Sequence, residues 1–201
     1  MAGMLFPDGG RHDHRSGAFA RVCVRDGTIF AGTSRPAAGS QGADELVLWQ
    51  SVDGGVTWEP WLTEHGPSLL PLAVSPAYPE DKSVFVAAGR HVARLLGARP
   101  QTGRGDWRLV WQAVEVCAAP DSVTALAMSP GYAADGTVFA TTTAGVFVSR
   151  DRGTSFVAWS EALDPPSIVA LAVSPDYSSD RLVYALSLGG TLWCRRDEAD
   201  S

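Results

Sequence analysis

The residues with the most specific spacing in this chain are Ser51-Val-Asp53-Gly-Gly55-Val-Thr57-Trp58, met again as Ser149-Arg-Asp151-Arg-Gly153-Thr-Ser155-Phe156. A carboxylate with hydroxyls on either side can collect the N–H groups of a tight turn. Glycine supplies the positive φ such a turn needs, and the closing aromatic packs beneath it. This chemistry is local to the turn. The expected role of Ser51, Asp53, Gly55, Thr57 and Trp58 is therefore structural, and so is that of Ser149, Asp151, Gly153, Ser155 and Phe156.

Other side chains offer weaker chemical signals. Glycoside hydrolysis needs two carboxylates at a separation set by mechanism, and Glu64, Glu115, Asp121, Glu161 and Asp164 lie near unit junctions. No pair among them stands out, so solvated loop acids are the expectation, with no catalytic residue assigned. His12-Asp13-His14 could present two imidazoles to a metal, but this segment is Gly-rich and has no further Cys or His close by. A tail is expected there, and no metal or cofactor. His65 and His91 are isolated, and no Gly-rich segment has the strand–loop–helix setting of a nucleotide site. Arg90, Arg94, Arg99, Arg104 and Arg108 form the densest basic stretch, read as a solvated loop that could meet an acidic partner. Cys23, Cys117 and Cys194 form no CxxC. Cys23 and Cys194 sit in apolar strand patterns, where buried free thiols are expected.

The elements that would carry these residues repeat. Leu69-Leu-Pro-Leu-Ala-Val-Ser-Pro-Ala-Tyr78, Val123-Thr-Ala-Leu-Ala-Met-Ser-Pro-Gly-Tyr132 and Ile168-Val-Ala-Leu-Ala-Val-Ser-Pro-Asp-Tyr177 share one pattern. Each reads as an apolar strand stopped by Ser-Pro, since proline has no N–H to extend a ladder. Second strands follow at Ser83-Val-Phe-Val86, Thr137-Val-Phe-Ala140 and Leu182-Val-Tyr-Ala185. The first unit has Thr28-Ile-Phe-Ala31 and replaces the Ser-Pro loop with Arg25-Asp26-Gly27. The second-strand aromatics Phe30, Phe85, Phe139 and Tyr184 stand at steps of 55, 54 and 45 residues and are expected to be buried alike. Third strands are expected at 45–50, 91–95, 145–148 and 191–194. Fourth strands carry Trp58 and Trp61, Trp107 and Trp111, then Phe156 and Trp159; the last unit has none. No helix is expected. Insertions at 34–44 and 97–105 read as loops. Strand-only repeats of this length fit propeller blades.

On the two octapeptides the chain resembles the Asp-box (BNR-repeat) β-propeller superfamily, which includes sialidases, xyloglucan-cleaving glycosidases, sortilin-type receptors and photosystem II assembly factors. The resemblance covers roughly Ala18 to Asp197. It implies an all-β, propeller-like fold of about four blades, each of three to four antiparallel strands. It also implies that the box is a stabilising turn away from the ligand face. The second unit departs from the pattern with Gly103-Arg-Gly-Asp106-Trp107, and the last reaches Asp197 level with Asp151. The segment that announces the first sialidase arginine is missing. Tyr78, Tyr132 and Tyr177 recur at one repeat position, so packing is their expected role.

The resulting organisation is an N-terminal segment over 1–17, a repeat domain over 18–197 with units near 18–62, 68–113, 122–160 and 167–197, and a tail over 198–201. Hydrophobic residues make up 45% of the 201 and charged ones 19%, as in folded globular chains. The net charge of -6 argues against nucleic acid or anionic membrane as partner. No apolar run nears the roughly 20 residues of a membrane span, nor is there a signal-peptide core, so a cytoplasmic chain is expected. The expected function is a non-enzymatic interaction scaffold binding a protein or glycan through blade loops. The alternative is a glycoside hydrolase, sialidase- or xyloglucanase-like, or the remnant of one. The unpaired edge expected of the last unit invites pairing. Met4 to Phe6 is expected to supply that strand within the chain, or across to a second copy in a homodimer that completes a larger ring.

Overall fold

In the computed structural model, the described residues are 21–23, 27–35, 44–66, 71–96, 112–116, 122–142, 145–159 and 168–198. They form four small antiparallel sheets. The chain divides into one unit up to Leu70 and another from Pro71 onward.

The first unit holds one sheet in chain order: β1 (Arg21–Cys23), β2 (Ile29–Arg35), β3 (Asp44–Ser51) and β4 (Glu59–Gly66). β2 alternates as a strand must. Ile29 and Ala31 pack with Trp58 and the half-buried Trp49, while Phe30 meets Trp61 at 5.0 Å between ring centroids. Trp49 is held by an indole N–H that donates to the Thr33 hydroxyl at 3.0 Å.

The second unit holds three sheets. β5 (Leu72–Val74), β6 (Ser83–Ala88), β7 (His91–Leu96) and β8 (Gln112–Glu115) make the second sheet. β9 (Val123–Met128), β10 (Val138–Thr142), β11 (Gly145–Ser149) and β12 (Val157–Ala158) make the third. β13 (Ile168–Val173), β14 (Leu182–Ser187) and β15 (Leu192–Arg196) make the fourth, which has only three strands.

These three sheets stack through alternating faces. Phe85, Ala87 and Val92 of the second sheet share a core with Tyr132, Val138 and Ala140 of the third. The opposite face of the third, with Phe139, Val146 and Val148, meets Ile168, Tyr177, Val183 and Ala185 of the fourth. The aromatics meet edge to face: Phe85 with Tyr132 at 5.8 Å, Phe139 with Tyr177 at 6.0 Å and with Trp159 at 5.5 Å. Hydrogen bonds from the first strand of the third sheet tie it to both neighbours as well. The Val123 N–H donates to Gly89 O at 2.8 Å, and the Thr124 hydroxyl donates to Ile168 O at 2.6 Å.

Several expectations change. The Ser-Pro loops are not irregular: each contains a single helical turn, α1 (Tyr78–Asp81), α2 (Tyr132–Asp135) and α3 (Tyr177–Asp180). Four residues are too few to show a helical period, which hid these turns from the sequence pattern. Each is closed by a residue at positive φ (Lys82, Gly136 and Arg181) whose N–H returns to the tyrosine carbonyl. The fourth strand of the second unit is Gln112–Glu115, running past the expected unit end at 113, while residues 107–111 lie outside the described residues. Phe30, Phe85 and Phe139 are fully buried, but Tyr184 is half-buried. Cys194 is an exposed free thiol, not a buried one. Tyr184 and Cys194 are cross-strand partners on the face of the fourth sheet that points away from the third. The proposed closing segment at 4–6, the His12-Asp13-His14 group and Cys117 lie outside the described residues.

Phe139 is buried in the joint between two sheets and its repeat equivalent Tyr184 is not, so alanine should separate them. Phe139→Ala is expected to cost about 3–5 kcal/mol by urea unfolding, and Tyr184→Ala should shift the midpoint little. Equal losses would contradict the stacking described.

Candidate functional site

Two kinds of carboxylate-centred turn and one buried carboxylate dominate the polar chemistry of the described residues. In the first octapeptide the Asp53 carboxylate accepts the Ser51 hydroxyl at 2.8 Å, the N–H groups of Val56 at 3.0 Å and Thr57 at 2.9 Å, and the Thr57 hydroxyl at 2.6 Å. Ser51 Oγ in turn accepts the Gly55 N–H at 2.8 Å, and the Trp58 indole donates to Gly55 O at 3.0 Å. Asp151 repeats the set with Ser149, the Thr154 and Ser155 N–H groups and the Ser155 hydroxyl. The Thr57 hydroxyl and N–H, with the Ser51 hydroxyl, hold the Asp53 carboxyl at about 2, well below its ordinary value. Burial pushes the Asp151 carboxyl up, but the Ser155 hydroxyl and N–H with Ser149 outweigh it, leaving it low. These are strong charge-assisted bonds from hydroxyl and amide to carboxylate.

The second kind lies in the Ser-Pro loops and was only half legible. Ser75, Ser129 and Ser174 each donate to a carboxylate six residues on, Asp81, Asp135 and Asp180, at 2.6, 2.5 and 2.6 Å. The same carboxylates accept the N–H of Ser83, Thr137 and Leu182 at the start of the second strand, at 2.9, 2.8 and 2.9 Å. Each Asp thereby links the end of one strand to the start of the next. The constant spacing Ser-Pro-x-Tyr-x-x-Asp in all three repeats was the signal that could have found these aspartates.

The buried carboxylate is Asp197. It accepts the Tyr177 hydroxyl in a short bond, the Trp159 indole N–H at 2.6 Å and Arg150 Nη2 at 2.5 Å, with its own side chain fully buried. Tyr177 and Asp197 belong to the fourth sheet and its turn, Trp159 and Arg150 to the third, so this carboxylate clasps the two together. Burial and the Asp197 charge both push the Tyr177 phenol up. Asp197 stands level with Asp151 in strand register. Arg195 stands where the octapeptides have Ser51 and Ser149, and the Asp197 side chain points into the joint.

The remaining sequence candidates do not converge. Glu115 is exposed and pairs with Arg90 at 3.2 Å, at the end of the second sheet opposite its Asp81 turn. His91 is exposed on β7, and Glu64 and His65 lie on β4. Asp121, Glu161, Asp164, Arg99, Arg104 and Arg108 lie outside the described residues. No group of three His, Cys, Asp or Glu that could hold a metal occurs among the described residues. Among them, no helix is long and apolar enough to cross a membrane.

The architecture is thus all-β, four antiparallel sheets of three or four strands with carboxylate-held turns. No family model and no curated protein matches the chain. Among solved structures it is similar to the crystal structure of a protein of unknown function from Dyadobacter fermentans DSM 18053, at 16% identity and a TM-score of 0.48. The match covers 92% of this chain and 62% of that one, so the chain spans less than two thirds of its length.

Two outcomes follow for the turns and the clasp. Asp53 is more acidic folded than unfolded, so its stabilisation is full above about pH 4 and lost as pH falls toward 2. The melting difference between wild type and Asp53→Asn should therefore be constant at neutral pH and shrink over that acid window; a difference undiminished at pH 2 would contradict the bonding. Asp197→Ala strands an arginine, an indole and a phenol, and is expected to cost about 3–5 kcal/mol in denaturant unfolding. Tyr177→Phe removes one donor and should cost about 1–3 kcal/mol.

Proposed function

We propose that this chain is a non-enzymatic scaffold of the Asp-box propeller type, its sheets serving as blades, which holds a protein or glycan partner on its loops. The observation that carries this reading is the use made of the carboxylates. Asp53, Asp81, Asp135, Asp151 and Asp180 are engaged in their own turns, and Asp197 in a joint between sheets. A hydrolytic acid or base needs an aspartate or glutamate aimed at a substrate, with an acidity tuned near the working pH. Asp53, Asp151 and Asp180 are instead held low, as permanent anions suited to capping N–H groups.

The turns built on these aspartates leave from one end of each sheet, where the first strand passes to the second and the third to the fourth. The opposite end carries the second-to-third-strand loops and is free of such turns in the described residues. There the half-buried Arg90 pairs with the exposed Glu115, and the loop around Leu188 to Gly190 is exposed. Loops on a rigid sheet scaffold are suited to recognition.

A glycan array and a panel of immobilised peptides, read with wild type, Arg90→Ala/Glu115→Ala and Asp53→Ala, test the reading. The loop pair should lose binding at an unchanged melting temperature. Asp53→Ala should melt earlier yet bind normally while folded. Turnover of aryl-glycosides, abolished by changing one or two carboxylates, would replace the scaffold reading with the hydrolase one.

A further inference from the structure

We draw no further inference here: the strongest candidate, the apolar face of the fourth sheet around Tyr184, Leu186 and Leu192 that points away from the third, carries nothing because nothing in the structure shows what covers it.

Discussion

A sheet of three or four short strands has two apolar faces and no means of burying both by itself. That constraint governs the second unit. Each joint is made by an aromatic in the middle of a second strand, received by the tyrosine of the next helical turn and, in one case, by a glycine that gives up its side-chain volume to the ring. Edge-to-face pairs of this kind contribute beyond the area they bury. The spacing of Phe85 and Phe139 along the chain is the spacing of these joints, and the turns, caps and clasps keep the partners of each joint in place.

The polar groups solve a related problem. Short loops at a sheet end leave N–H groups without ladder partners, and each unmet one costs free energy if water is excluded. Serine and aspartate at fixed spacing meet them after the first strand of the second, third and fourth sheets, and after the third strand of the first and third. Asp197 shows how far this role depends on surroundings. It stands level with Asp151, yet it points into the joint and gathers three donors from two sheets. The same residue type at the same register is a loop cap in one sheet and an inter-sheet clasp in the next.

The tyrosine turns vary in a similar way. Lys82 and Arg181 take the left-handed position themselves and lay a cation over their own Tyr78 and Tyr177 rings, at 4.9 and 5.2 Å. The turn α2 has Gly136 there, where the Arg152 side chain leaves no room for a Cβ. Its tyrosine receives Arg94 from the neighbouring sheet instead, at 5.8 Å. A cation over the ring is kept while its source changes, which fits an electrostatic preference for the ring face and not a preference for any one residue.

Strand positions, the four-unit repeat, the two octapeptide turns and the missing fourth strand of the last unit were all determined by sequence, because alternation, Ser-Pro stops and turn glycines are local properties. The short helical turns were hidden, being shorter than any helical period, and the aspartates that hold them were seen only as loop residues. Burial of Tyr184 and Cys194 was misjudged for a different reason. Their strands alternate as those of Phe85 and Phe139 do, and a strand pattern specifies which side a residue faces but not whether anything lies against that side. The inward turn of Asp197, the crossing of Arg150, and the contrast between Gly153, pressed on the Phe85 ring, and Gly55, which meets Ile29 and Trp58 of its own sheet, belong to the tertiary structure alone. Each depends on which sheet stands next to which, and that is set by packing between segments far apart in the chain.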